Sequence, residues 1–359
     1  MRAFLGEAEK SPQAGHRRTV LLRLLDANLN RAREGLRVLE DISRFVLNDV
    51  PLTRELRQLR LQLAVGTTGE VGLLSARDVE GDVGAGRPGG EREGLPSLVL
   101  ANAKRAQEAL RVLEEGASLE GWDPSPFQKA RLVLYDLEKR LLGLVLRKEK
   151  RDRVSGLYVV LDRGFLKGRD EVEAARAAIR GGARVLQLRD RVGEKGEMLA
   201  VATKLRELCS QEEVLFIVND HLDLALATGA DGLHLGQKDL PLKEARRLLP
   251  IDSLLGLSCH SLEEAKGAEE AGADYVALGS IFPTTSKEKA VVIGLDTLAR
   301  ARKSVSLSIV AIGGINQENV AQVLRAGARA VAVISAVLGP LDVEAAARGL
   351  AARMEKASG

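Results

Sequence analysis

Between residues 156 and 337 eight short apolar runs follow one another, and a polar cluster closes nearly every one. The runs occupy 156–162, 184–188, 214–218, 232–235, 254–257, 275–278, 308–312 and 330–334. Behind them stand Gln187-Leu188-Arg189-Asp190-Arg191, Asn219-Asp220, Gln237-Lys238-Asp239, Ser258, Pro283-Thr284-Thr285-Ser286-Lys287, Gly313-Gly314 and Ser335. Runs of this kind read as strands, and eight of them alternating with helices close into a (β/α)8 barrel of the α/β class. A barrel places its chemistry at the strand C-termini, which is where the polar clusters fall. Gly182-Ala183, Gly229-Ala230, Gly272-Ala273 and Gly327-Ala328 each precede an even-numbered run. Glycine there takes the left-handed conformation that ends a helix, so the chain reads as four repeated βαβα units. An open doubly wound sheet uses the same local signals; the count of eight favours the closed barrel.

The first 150 residues follow a different pattern. The segment Asn28-Leu29-Asn30-Arg31-Ala32-Arg33-Glu34-Gly35-Leu36-Arg37-Val38-Leu39-Glu40-Asp41 returns 74 residues later, at 102–115, with nine of fourteen positions identical. Both copies carry apolar residues at helical spacing, and each is followed by a second amphipathic stretch, at 52–63 and 127–142. The expectation is an all-α duplicated helical-hairpin domain over 21–146, preceded by a disordered N-terminus at 1–20. The Gly-rich, charged stretch after Arg77-Asp78-Val79-Glu80-Gly81-Asp82-Val83-Gly84 reads as a mobile loop. The charge run at 147–154 reads as a solvated helix end and linker, with the barrel domain filling 155–359.

Composition narrows the function. A net charge of +3 over 359 residues gives no nucleic-acid footprint, and 3% aromatics leaves little stacking surface. Cys209 and Cys259 are far apart and form no metal or redox motif; Cys259 reads as a small buried filler. That suits a reducing cytoplasm, and no apolar stretch is long enough to span a membrane.

Asp220 and Asp239 follow neighbouring strands and face one mouth. Two carboxylates without a Cys/His cluster suit Mg²⁺ better than zinc; helix capping is the alternative for each. Arg189, Arg191 and Lys287 lie on three clusters around the same mouth. Gly313-Gly314 after the seventh run and Ser335 after the eighth occupy the places where barrels cradle a phosphate with backbone N–H groups. Two carboxylates beside a diphosphate repel it by about 4 kcal/mol per close charge pair at an effective dielectric near 20, and a dication between them reverses the sign. The pattern fits one phosphorylated substrate and one magnesium-diphosphate substrate. No motif in the sequence sets a nucleophile beside a general base.

Over 156–337 this constellation resembles thiamine phosphate synthase, a transferase family that joins a hydroxymethylpyrimidine diphosphate to a thiazole phosphate and releases pyrophosphate. The resemblance implies that Gln187, Arg189, Arg191, Asn219 and Lys287 contact the pyrimidine diphosphate, with Ser258 binding it or the departing pyrophosphate. It implies Asp220 and Asp239 as Mg²⁺ ligands, and Thr284, Thr285, Ser286, Gly314, Ile334 and Ser335 around the thiazole phosphate. Arg189, Lys287 and Ser258 would then act in catalysis. Two positions depart from the family pattern: Arg191 stands where the Gln-x-Arg-x-Lys motif ends in Lys, and Ser286 replaces a Thr before Lys287. The first departure leaves the contact of residue 191 open.

Residues 20–145 resemble a helical module fused ahead of such synthases and associated with phosphorylating hydroxymethylpyrimidine phosphate, which implies ATP as a partner there. No Gly-x-x-x-x-Gly-Lys-Ser/Thr loop is present. The alternative is an assembly or dimerisation module, which would make the chain a homo-oligomer. For the barrel the alternatives are a thiazole tautomerase or other phosphate-binding isomerase, and a non-catalytic sensor of thiamine precursors.

Overall fold

The computed structural model describes residues 12–63, 72–77, 93–191, 193–284 and 291–358. The chain divides into two compact units, Met1–Leu146 and Arg147–Gly359.

The first unit is built from α1 (Pro12–Asp41), α2 (Val50–Gln62), α3 (Gly94–Leu119) and the part of α4 (Ser125–Arg153) that ends at Leu146. A π-helical turn, Ile42–Leu47, ends α1, and Asp49 caps α2 by accepting from the Leu52 N–H at 2.8 Å. The duplicated segments lie on α1 and α3 and pack against each other. Ala32, Leu36 and Leu39 on one and Ala106, Leu110 and Leu113 on the other are buried. Their backbones approach closely at Gly35, where a Cβ would stand 2.8 Å from the Asn102 carbonyl oxygen. Each fully buried leucine contributes about 1.5–3 kcal/mol, so the repeated apolar stripe accounts for the packing.

The repeated polar positions separate into two groups. Asn28 and Asn102 are buried and donate to the carbonyls of Leu24 and Leu98, four residues back, at 2.9 and 2.8 Å. Glu40 and Glu114 are buried and pair with Arg60 and Arg131 at 2.8 and 3.0 Å. Arg31, Glu34, Arg105 and Glu108 are exposed. Residues 12–20, expected as disordered, are the opening turns of α1: apart from Gly15 nothing in them breaks the helix that Leu21, Leu22 and Leu25 anchor. The rest of the expected disordered segment, and the loop that follows Arg77, lie outside the described residues.

The second unit is a closed barrel in strand order β1 to β8. The strands are β1 (Gly156–Asp162), β2 (Ala183–Arg189), β3 (Leu215–Asn219), β4 (Gly232–Leu235), β5 (Leu254–Cys259), β6 (Tyr275–Leu278), β7 (Ser308–Ile312) and β8 (Ala330–Val333). All pairs are parallel, and β8 returns to β1 through the register Gly156↔Ala330 to Val159↔Val333. The glycines of the four Gly-Ala pairs have φ between 61 and 105°, as helix-ending glycines require. In two of them the following aspartate repeats one contact: Asp231 accepts from the Phe216 N–H at 3.0 Å and Asp274 from the Leu255 N–H at 2.9 Å. Alternate residues point inward. Tyr158, Val160, Val185, Leu215, Ile217, Leu254, Tyr275, Val310 and Ala330 fill the interior, while their neighbours meet the outer helices.

The charge run at 147–153 is a helix end, the last turns of α4, and two of its cations are paired rather than solvated. Arg147 pairs with Asp274 at 3.0 Å, and Lys150 with Asp252 at 2.9 Å. Asp252 precedes β5 and Asp274 precedes β6, so both cations reach the N-terminal ends of barrel strands. Desolvation outweighs the Asp274 attraction and lowers the Arg147 pKa. Among the described residues no helix is long and apolar enough to cross a membrane.

Candidate active site

The alternation that fills the interior carries on to the strand ends and aims Asp162, Gln187, Arg189, Asn219, His234 and Ser258 into one mouth. Asp162 and Arg189 are register partners across β1 and β2, and their side chains form an ion pair. The Gln187 amide donates to the Asn219 side-chain carbonyl at 2.7 Å. Of the cations expected here, Arg189 thus has a carboxylate beside it, and Arg191 is exposed in the loop after β2. That loop is fixed by Asp190, which accepts from the Gly193 N–H at 2.9 Å and pairs with Arg163 at 3.2 Å. Thr285, Ser286 and Lys287 lie outside the described residues.

Asp220 follows β3 in a left-handed conformation, φ 62°, and its N–H donates to the His234 carbonyl at 2.9 Å. This turn brings its carboxylate to that of Asp239, which is held by the Gly236 N–H at 2.6 Å. Neither aspartate caps a helix; the caps of the two following helices are His221 and Pro241, without side-chain bonds. Burial first, then the hydrogen bond and charge of Asp239, push the Asp220 pKa up to about 6, against the pull of His221 and Arg189. A strained aspartate held against a second one is an arrangement that a cation relieves. The donors are carboxylate oxygens, and no group of three His, Cys, Asp or Glu able to hold a metal occurs among the described residues. Two carboxylates with the remaining positions left to water and phosphate oxygens fit Mg²⁺.

At the opposite rim the loop after β6 docks on the loop after β7. The Ile281 and Phe282 N–H groups donate to the Ile312 and Gly313 carbonyls at 2.9 and 3.0 Å. Gly314 has φ 64°, and a Cβ there would lie 2.3 Å from the Pro283 carbonyl oxygen. The glycine is therefore required by the protein's own backbone, before any ligand is considered. Thr284 is half-buried at the end of this loop. Ile334 precedes the short helix Ser335–Leu338, whose first residue is exposed to the mouth side of β8.

Besides Asp162, three polar residues beneath the mouth are missed by the sequence reading. His234 is buried on β4, with Nε2 2.9 Å from Ser258 Oγ and Nδ1 3.1 Å from the Tyr275 hydroxyl. Tyr275 in turn lies 3.1 Å from the Tyr158 hydroxyl. Burial lowers the His234 pKa to about 4 and raises both tyrosines above their ordinary range. The alternation in Gly-Leu-His-Leu, which puts His234 on the inward face with Gly232, was the signal that could have found it. Cys209 and Cys259 are buried and free, and burial pushes both thiols up to about 12, so neither is a ready nucleophile.

Comparison with known proteins places this barrel. The family model for thiamine monophosphate synthase matches residues 157–337, and that for the ThiD2 family matches residues 23–140. A thiamine-phosphate synthase of a Synechococcus species is 42% identical over 335 residues, covering 91% of this chain and 94% of the relative. One from Thermosynechococcus vestitus is 39% identical, covering 94% and 95%. The solved thiamine phosphate pyrophosphorylase from Pyrococcus furiosus superposes with a TM-score of 0.55 at 41% identity, over 58% of this chain and 100% of its own. The chain belongs to the thiamine phosphate synthase family, with a ThiD2-family domain ahead of the synthase barrel.

Proposed function

We propose that the barrel mouth binds hydroxymethylpyrimidine diphosphate and thiazole phosphate together and joins them by loss of pyrophosphate. The single observation that carries this reading is the Asp220–Asp239 pair beside Arg189, a carboxylate pair that favours a dication next to a cationic side chain. Asp220 and Asp239 would hold Mg²⁺, which when bound neutralises charge on the diphosphate. Arg189 and Arg191 face the same phosphates, Lys287 would join them as membership of the family implies, and the Ser258 hydroxyl donates to the departing pyrophosphate. Gln187 and Asn219, locked to each other, present their remaining amide groups to the pyrimidine side. Thr284, Gly314, Ile334 and Ser335 surround the thiazole phosphate on the far rim, and Thr285 and Ser286 would contact it as membership of the family implies.

In this arrangement the C–O bond to the diphosphate breaks, and its electron pair leaves with pyrophosphate. The pyrimidine cation left behind is captured by the thiazole nitrogen, forming the C–N bond. No proton has to move, which suits a site whose buried histidine is neutral and whose thiols are inert. Catalysis then rests on alignment of the two substrates and on charge stabilisation at the leaving group.

For the N-terminal domain we infer phosphorylation of hydroxymethylpyrimidine phosphate with ATP. The support is that the buried ion pairs between helices use Glu40 and Glu114. The repeated Arg31, Glu34, Arg105 and Glu108 are left exposed on α1 and α3. The buried thiols suit a reducing cytoplasm.

The test is turnover by the full chain. Supplied with both barrel substrates and Mg²⁺, it should release thiamine phosphate and pyrophosphate in equal amounts. Turnover of the thiazole phosphate alone would indicate an isomerase, and binding of both without turnover a sensor. A full chain carrying Asp239→Asn, given the pyrimidine monophosphate and ATP, should accumulate the diphosphate. No phosphorylation, together with self-association through the N-terminal domain, would leave that domain an assembly module.

A further inference from the structure

We propose that the buried Tyr158–Tyr275–His234 chain fixes His234 with its proton on Nε2, and so turns the Ser258 hydroxyl proton outward into the mouth. The proposal builds on Ser258 as a diphosphate contact and adds positioning residues beneath it.

The chain is a dead end in which every proton can be counted. Tyr158 and Tyr275 each own one hydroxyl proton, and their hydroxyls are 3.1 Å apart. Among the described residues the Tyr275 hydroxyl has one further side-chain hydrogen-bond partner, His234 Nδ1, at 3.1 Å. Tyr158 sits among Val154, Val160, Val185, Leu215, Leu254 and Ala330, and among the described residues its hydroxyl has Tyr275 as its one side-chain hydrogen-bond partner. Both protons are used in only one arrangement: Tyr158 donates to Tyr275, and Tyr275 donates to Nδ1. If Nδ1 carried a proton, in either the other tautomer or the cation, Tyr275 would have to accept it. One of the two tyrosine protons would then be buried without a partner, the costlier state. With Nδ1 accepting, the imidazole proton lies on Nε2, and Nε2 donates to Ser258 Oγ at 2.9 Å. Ser258 Oγ is then the acceptor in that bond, and its own proton is free to donate elsewhere.

The neighbouring strand is shaped around this chain. Gly256 is the inward residue below Ser258 on β5, and a Cβ there would stand 2.2 Å from Tyr275 Cζ, 2.5 Å from its hydroxyl and 2.6 Å from His234 Nδ1. Any side chain at 256 would displace the Tyr275–His234 bond. The His234 and Tyr275 rings stack with centroids 5.5 Å apart, which limits imidazole rotation. From the other side, Gln237 Nε2 donates to the Ser258 carbonyl at 2.6 Å and holds the serine backbone. What remains adjustable at Ser258 is its hydroxyl rotor, and the imidazole proton sets that.

Two measurements on the full chain test this. Nitrogen-15 NMR of the imidazoles reads the tautomer, with His16, His221 and His260 replaced by Gln so that His234 alone remains. The expected spectrum is a neutral ring protonated on Nε2; a ring protonated on Nδ1, or a cation, overturns the proposal. In kinetics, Tyr275→Phe should lower kcat about tenfold, the size of one lost hydrogen bond in the transition state. Tyr158→Phe, which keeps the Tyr275-to-Nδ1 bond, should stay within about twofold. A mere packing role would move both alike. In a Ser258→Ala background Tyr275→Phe should have little further effect. An undiminished loss there means that the chain does not act through Ser258, and overturns the proposal. If Ser258→Ala alone leaves turnover unchanged, the diphosphate reading of Ser258 fails, while the tautomer is decided separately by NMR.

Discussion

The helical unit and the mouth of the barrel hold their carboxylates in opposite ways. In the bundle each buried acid meets a base: Glu40 with Arg60 at 2.8 Å, Glu114 with Arg131 at 3.0 Å, Asp26 with Arg77 at 2.8 Å. In the barrel mouth Arg189 is matched by Asp162, yet Asp220 faces another carboxylate and its pKa rises to about 6. A self-neutralised pair holds a fold together. A like-charge pair costs stability and is explained by what it binds. The two units must therefore respond differently when an acid is removed: the bundle loses stability, the mouth loses activity.

The largest effect should come from Asp239→Asn. The amide oxygen can still accept from the Gly236 N–H, so the loop keeps its shape. Turnover at limiting Mg²⁺ should fall about a hundred- to a thousandfold, as when a charge-stabilising group is lost. Near-normal turnover would remove the pair from the chemistry and break the comparison at its barrel end.

Glu40→Ala probes the other end. It strands Arg60 in a partly buried site, and breaking such a pair costs about 3 kcal/mol. Calorimetry should show the bundle destabilised while barrel turnover per folded molecule stays unchanged. Loss of turnover with no loss of stability would contradict a structural role for this pair.

A smaller effect is expected at the far rim. Gly314 cannot test the phosphate cradle, because any side chain there collides with Pro283. Ser335→Ala is the cleaner change, since the residue is exposed at the start of a short helix. It should raise the KM for thiazole phosphate a few-fold, roughly one hydrogen bond, and leave that for the pyrimidine diphosphate alone. An equal rise for both substrates would move Ser335 out of the thiazole subsite.

The barrel was legible because its signals are local. Gly156–Asp162, Gly232–Leu235, Tyr275–Leu278 and Ser308–Ile312 are strands with the ends read from hydropathy alone. The four Gly-Ala turns and the 74-residue repeat are equally local patterns. Contacts between distant residues were not legible. Tyr158 and Tyr275 are 117 residues apart, and nothing near either one announces a shared hydrogen bond. The same holds for Arg147, which reads as part of a charge run until Asp274 is seen against it. The choice between helix cap and metal ligand for Asp220 needed the left-handed turn, which no residue type at 220 dictates. Gly314 suggested a phosphate, and its backbone neighbours supply a more immediate reason for it.

The carboxylate pair itself is tested most directly by the thermal stability of the barrel unit as a function of pH and Mg²⁺. In the folded chain Asp220 holds its proton up to about pH 6, against an ordinary value of 3.8. The folded state therefore binds more protons in that window, and under chelation its stability should fall as pH rises from about 4 to about 6. Asp220→Asn should be more stable than the unchanged chain at about pH 7.5, and the two should converge toward pH 4. Mg²⁺ with pyrophosphate should raise the midpoint of the unchanged chain and move the variant little. An Asp220→Asn protein that is less stable at about pH 7.5 under chelation, or that responds equally to Mg²⁺, would contradict the account.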